Sequence, residues 1–297
     1  IIVIIKTVLF VFIFPAHGFN LGPGDIVFHL FTRANATSSE PLLPDPNSIA
    51  TSSFSLSRRT ILTIHSYTEV VSGNFNAHLV SAHLAAEDVN LIAVDWGRVS
   101  TTYSVGLANA PQVGSVIATF INILTLDFGY SINLINIVGV GLGGHIAGIA
   151  ARRAVGVIPR VVALDPSFVG WTHNPEILST DAATVVEVLH ATAGVYGYDH
   201  PLGHLDFYPN GGVQQSGCGS NIACSHVLSY IFYAESVISE VNNNNKFVGT
   251  ECYNYTQAIA NECTGARGQI FGGTDDKTGI TGIFTFNTNF QSPFAQG

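Results

Sequence analysis

Methionine is missing from all 297 residues, and charge is scarce: 11 Lys and Arg and 20 Asp and Glu make up 10% of the chain. From the first absence we expect the recorded sequence to start just inside its reading frame. The second excludes a solvated, disordered polyelectrolyte, because 47% of the residues are hydrophobic. No run of Lys or Arg exceeds two, and the formal net charge is −9, so nucleic acid is not an expected partner. Beyond the N-terminus no segment reads as long and apolar enough to hold the protein in a bilayer, so no stable membrane anchor is expected. Cysteine is limited to four, spaced unlike any zinc site and without a neighbouring His/Cys cluster. No metal and no cofactor are expected.

What is present points outward from the cell. "IIVIIKTVLFVFIFPAHGFN" carries Lys6, an apolar run from Val8 to Phe14, and small residues at Ala16 and Gly18. That pattern reads as a secretory signal peptide over residues 1–18. The cysteines fall into two local pairs, Cys218 with Cys224 and Cys252 with Cys263, suited to disulfides in an oxidising compartment. Sequons at Asn35 and Asn254 suit a glycosylated, extracellular surface.

Residues 19–297 read as one domain of alternating strands and helices. "IVFHLFTR" and "SLSRRTILTIH" read as strands, joined by a polar, proline-rich stretch. A helix around residues 74–88 and the strand "NLIAVDW" follow, then a helix starting at Pro111. "LINIVGV" and "RVVALD" are apolar on both faces, as in parallel strands covered by helices on each side. A helix over "SHVLSYIFYAESVISE" precedes a tail rich in Gly, Thr, Asn and Phe. The fold class is α/β, with a mostly parallel central sheet and its site at the carboxyl ends of the strands.

The stretch "INIVGVGLGGHIAG" admits two readings. Gly139, Gly141 and Gly144 match the dinucleotide pattern G-x-G-x-x-G, with Asp165 as the acid of a following strand. Yet a dinucleotide fold opens with that turn, whereas here about half the chain precedes it. The second reading is the strand–turn–helix of a serine hydrolase, G-x-S-x-G, with Gly141 in place of the serine.

Several further stretches agree with the second reading. "VDWGRVSTTYSVGLANAPQVG", "IVGVGLGGHIAG", "VVALDPS", "GHLDFYPNGGVQQSGC" and "CSHVLSYIFYAESV" resemble, in that order, the pancreatic-lipase family of neutral lipases. The closing "FTFNTNFQSPFAQG" is similar to its arthropod members. The resemblance implies an α/β-hydrolase fold, here without a C-terminal β-sandwich. It matches Asp165 and His226 to the acid and base of a Ser-His-Asp triad, and Leu142 and Ser66 to oxyanion-hole positions. The family reads Gly-His-Ser-Leu-Gly where this chain has Gly139-Val140-Gly141-Leu142-Gly143, and His-Gly-aromatic where it has His65-Ser66-Tyr67. Ser66 and Ser225 are the serines to weigh as substitute nucleophiles. Five residues between Cys218 and Cys224 leave no room for a long lid. Asp181 is what remains of the family's calcium-loop acids. His200 and His204 sit at H-x-x-x-H spacing, but Pro201 and Gly203 oppose a helix there.

Two functions follow as expectations. The first is a secreted, inactive homologue whose cleft binds, stores or carries a lipid or fatty-acyl ligand, for which lipase-like insect yolk proteins give a precedent within the family. The second is a weak carboxylic-ester hydrolase of triacylglycerol lipase or phospholipase A1 type.

Overall fold

The chain is described by a computed structural model that covers residues 21–22 and 24–297. The signal-peptide expectation falls outside these residues. Six parallel strands form the middle of the sheet: β3 (Thr60–Ile64), β4 (Asn90–Asp95), β5 (Ile135–Val140), β6 (Arg160–Leu164), β7 (Val185–Leu189) and β8 (Leu205–Phe207). On one edge β1 (Val27–Thr32) pairs antiparallel with β4, and β2 (Asn35–Leu42) pairs antiparallel with β1. On the other, β11 (Gly282–Thr285) runs parallel to β8. Beyond it lie β9 (Val248–Cys252) and β10 (Arg267–Ile270), for a sheet of eleven strands.

Alternation along each central strand sends side chains to two cores. Leu62, Ile64, Ile92, Ile137 and Val161 face α3 (Tyr103–Asn122) and α4 (Leu142–Arg153). Ile61, Leu91, Val138 and Val162 face α2 (Asn74–Ala86) and α5 (Ile222–Asn242). Two short helices, α1 (Pro46–Ala50) and α6 (Tyr255–Ala260), lie near the edges. This is the α/β-hydrolase arrangement, a mostly parallel sheet with helices on both faces.

Three local expectations change. The proline-rich stretch after β1 contains the strand β2, whose Pro41 is tolerated because β2 is an edge strand. Helix α3 starts eight residues before Pro111, at a cap where Thr102 Oγ1 accepts the Val105 N–H. Packing of its first turns outweighs the preference of proline for a helix start: Gly106 lies close to Leu142 and Trp96. Third, the helices Tyr103–Asp127 and Ile222–Asn242 are by length and composition apolar enough to cross a membrane, unlike the expectation above. Their apolar faces are spent on the two cores instead.

Candidate functional site

Four chain segments meet beyond the carboxyl ends of the parallel strands. β5 runs into α4 through Gly141, which has φ 57° and ψ −120°. A residue with a Cβ is strained there by about 1–3 kcal/mol; glycine is not. The flanking glycines serve close packing, since a Cβ on Gly139 would fall 2.1 Å from the Gly143 carbonyl oxygen, and one on Gly143 equally close to that of Ile64. The turn therefore needs its glycines for its own shape, and the dinucleotide pattern has no separate part in it.

β6 ends in Asp165, which is fully buried. Its Oδ1 accepts the N–H groups of Ala191 and Thr192 at 2.7 and 2.9 Å, and its Oδ2 accepts the Thr192 hydroxyl. His226 Nδ1 lies 2.7 Å from Oδ2 and donates to it, which leaves Nε2 as the basic nitrogen. Burial alone would raise the Asp165 pKa. The hydrogen bond and charge of His226, with the Thr192 and Ala191 donors, hold it below the usual carboxylate range.

His226 rides on the first turn of α5. Asn221 caps that helix by accepting the Cys224 N–H at 3.0 Å, and the Cys218–Cys224 disulfide fastens the same turn. Ser225, next to it, is buried and accepts the Gln215 N–H, so its hydroxyl is turned into the fold.

Ser66 follows β3 and lies across the tip of the turn. A side chain on Gly141 would begin 2.5 Å from Ser66 Oγ and 3.6 Å from His226 Cε1. Ser66 thus occupies the space that a nucleophile would need. Its Oγ also accepts the Leu142 N–H at 3.4 Å, so the first amide of α4 is turned to an internal contact. Ser66 is further held by its neighbour: His65 Nδ1 donates to the Ser66 carbonyl at 2.6 Å.

Above these groups opens a cavity of about 390 Å³. Ser66, Thr68, Glu69, Ser167 and His226 supply polar groups; Val140, Val169, Val195 and Val227 supply apolar walls, with Tyr67, Tyr103, Tyr196 and Tyr230 around them. Sequence reasoning missed Glu69. Burial raises its pKa, opposed by the charges of His65 and His226 and the backbone of Phe75 and Ser66. Its Oε2 is buried with no hydrogen-bond partner among the described residues. Burial, then Glu69, push the Tyr230 pKa up to about 12.

The other candidates lie apart. Asp181 binds Arg152 and Ser179. His200 pairs with Asp199 and stacks on Tyr255, whereas His204 Nδ1 accepts the Val186 N–H. Cys252 and Cys263 form the second disulfide. Asn35 and Asn254 are exposed, and Asn254 Oδ1 caps α6.

The family model described as Lipase matches residues 17–294. Pancreatic triacylglycerol lipase of Mus musculus is 33% identical over 304 residues, 91% of this chain and 64% of that protein. The Sus scrofa enzyme is 32% identical over 92% of this chain and 67% of its own, and the Homo sapiens enzyme 33% identical over 84% and 59%. The chain thus spans roughly three fifths to two thirds of the length of these relatives. With the family model over nearly all of it, this chain belongs to the pancreatic lipase family.

Proposed function

We propose that this protein is a secreted lipase homologue without ester hydrolysis, whose cleft binds a lipid or fatty-acyl ligand for storage or carriage. One observation carries the reading: Gly141 occupies the turn where the family's pattern has serine, and the Ser66 side chain fills the space beside it. Glycine has no nucleophile, so no acyl-enzyme forms at this position. The Leu142 N–H, turned to Ser66 Oγ, is not offered to a developing oxyanion. Asp165 and His226 remain as a hydrogen-bonded remnant of the triad. Secretion is supported by the N-terminal sequence and the two disulfides. Glycosylation at Asn35 and Asn254 is supported by their exposure, with Asn254 Nδ2 as the attachment atom. The arthropod branch rests on the closing sequence alone.

The closeness of Ser66 to the nucleophile position favours one second reading, slow ester hydrolysis through Ser66. Purified protein separates the two. We expect no turnover of p-nitrophenyl butyrate above buffer and no covalent labelling by a fluorophosphonate. Labelling at Ser66, with turnover abolished in His226→Ala, would establish the hydrolase instead.

A further inference from the structure

We infer that the cleft selects an uncharged amphiphile bearing a hydroxyl, such as a long-chain alcohol or a monoacylglycerol, and turns away the fatty-acid anion. This rests on the proposal that the cleft is a ligand site, and it names the chemistry of the ligand's head.

The lining decides the sign. No Lys or Arg faces the cavity, and its one acid, Glu69, does. A carboxylate head would enter beside a carboxylate, in surroundings where water screens the repulsion poorly. The usual home for an anion in this fold is also closed. The first N–H of α4, that of Leu142, is a ready-made anion donor at a helix N-terminus, but it already points at Ser66 Oγ. A carboxylate therefore finds like charge and no vacant backbone donor at that helix end, with neutral hydroxyls in place of a cation.

A hydroxyl finds the opposite. Glu69 lines the cavity, and a carboxylate there accepts from a ligand that brings a hydroxyl donor. The Ser66 hydroxyl and His226 Nε2 add acceptors on the same lining. The valine and tyrosine walls then take the chain. A cation would also meet the Glu69 charge. However, burial already raises the Glu69 pKa, so a charged head would add its own desolvation to a site that disfavours ions.

Competition of four ligands with ten-carbon chains against a cleft-bound fluorescent fatty-acyl probe, at pH 8, tests the inference: decan-1-ol, 1-monodecanoylglycerol, decanoate and decyltrimethylammonium. We expect the alcohol and the glyceride to bind about tenfold or more tightly than decanoate, and more tightly than the cation. In Glu69→Gln the advantage over decanoate shrinks to about threefold or less, since the like charge is gone while an acceptor remains. The comparison in the unaltered protein already decides the matter if the variant fails to fold. Equal binding of decanoate, or tightest binding of the cation, overturns the inference and leaves the ligand-site proposal standing. An advantage unchanged in Glu69→Gln overturns it as well. Failure of the probe and all four ligands to bind overturns both.

Discussion

A single atom bears on what a side chain at Gly141 could do. Ser66 Oγ lies 2.5 Å from where a side chain on Gly141 would start, closer than two such atoms tolerate. We therefore expect Gly141→Ser alone to give little or no hydrolysis of short-chain esters. The new side chain meets Ser66, restores the backbone strain that glycine avoids, and faces an oxyanion donor already in use. One missing donor costs about 10²–10³ in kcat. Combining Gly141→Ser with Ser66→Gly removes the obstruction, and Val140→His returns the family's neighbour. Appreciable hydrolysis is expected from the combined variants, and family-level rates from the single one would refute this picture. At this scale the sequence was readable wherever a motif surrounds the residue: Gly141, Asp165, His226 and Ser66 all lie in recognisable stretches. Glu69 does not. It lies in "YTEVVSG" with no pattern of its own, and it becomes part of the cleft only when α5, more than 150 positions later, folds over it. An acid two residues after the His65-Ser66-Tyr67 segment was the one available signal.

Helices α2 and α4 each bury a histidine in its neutral form. Burial, followed by nearby arginine charges, lowers the His83 pKa to about 3. His145 falls to about 3 through burial, although the Ser167 carbonyl pulls the other way. His145 Nδ1 accepts the Leu178 N–H at 3.2 Å and its ring stacks on Trp171, so a second proton would cost a hydrogen bond. The unfolded chain takes up these protons near pH 6.5, and the folded one only near pH 3. Their contribution to stability is therefore fully present above pH 6.5 and is lost as the pH falls from 6.5 to 3. The unfolding midpoint should drop steeply over that window. His83 Nε2 has no hydrogen-bond partner among the described residues, so His83→Phe is expected to be near neutral at pH 7 and to lessen the fall; an unchanged acid profile would count against the assignment. Elements were legible in proportion to their burial pattern. "LINIVGV" at β5 and "RVVALD" at β6 are apolar on both faces and announce themselves. β2 and the strands of the tail do not, because a polar edge strand takes its place from pairing with a neighbour and not from its own periodicity.

Across the whole molecule, one buried cluster ties the C-terminal segment to the sheet. Arg160 on β6, Glu187 on β7 and Lys277 in the loop before β11 are all buried. Lys277 Nζ lies 2.6 Å from Glu187 Oε1, and Arg160 Nη2 binds Glu187 Oε2. Arg160 also donates to the carbonyls of Gly272 and Gly273, and Lys277 to that of Gly272. The contacts join residues up to 113 positions apart, which no local pattern in the sequence could reveal. Burial lowers the Lys277 pKa to about 8 against the pull of Glu187 and, more weakly, of Asp275. Glu187→Gln removes the anion that Arg160 and Lys277 share and leaves the buried Arg160 charge without its partner. Breaking a buried ion pair in this way costs about 3–5 kcal/mol, and we expect a loss of that size in urea unfolding. Replacing all three residues together, as Arg160→Met, Glu187→Leu and Lys277→Met, leaves no orphaned charge and should recover most of it. Limited proteolysis distinguishes the pin from a passive cluster: in Glu187→Gln the segment around residues 272–277 should be cut well before the central sheet. A loss below about 1 kcal/mol, or cutting that follows global unfolding only, would mean that the strands of the tail hold themselves in place without it.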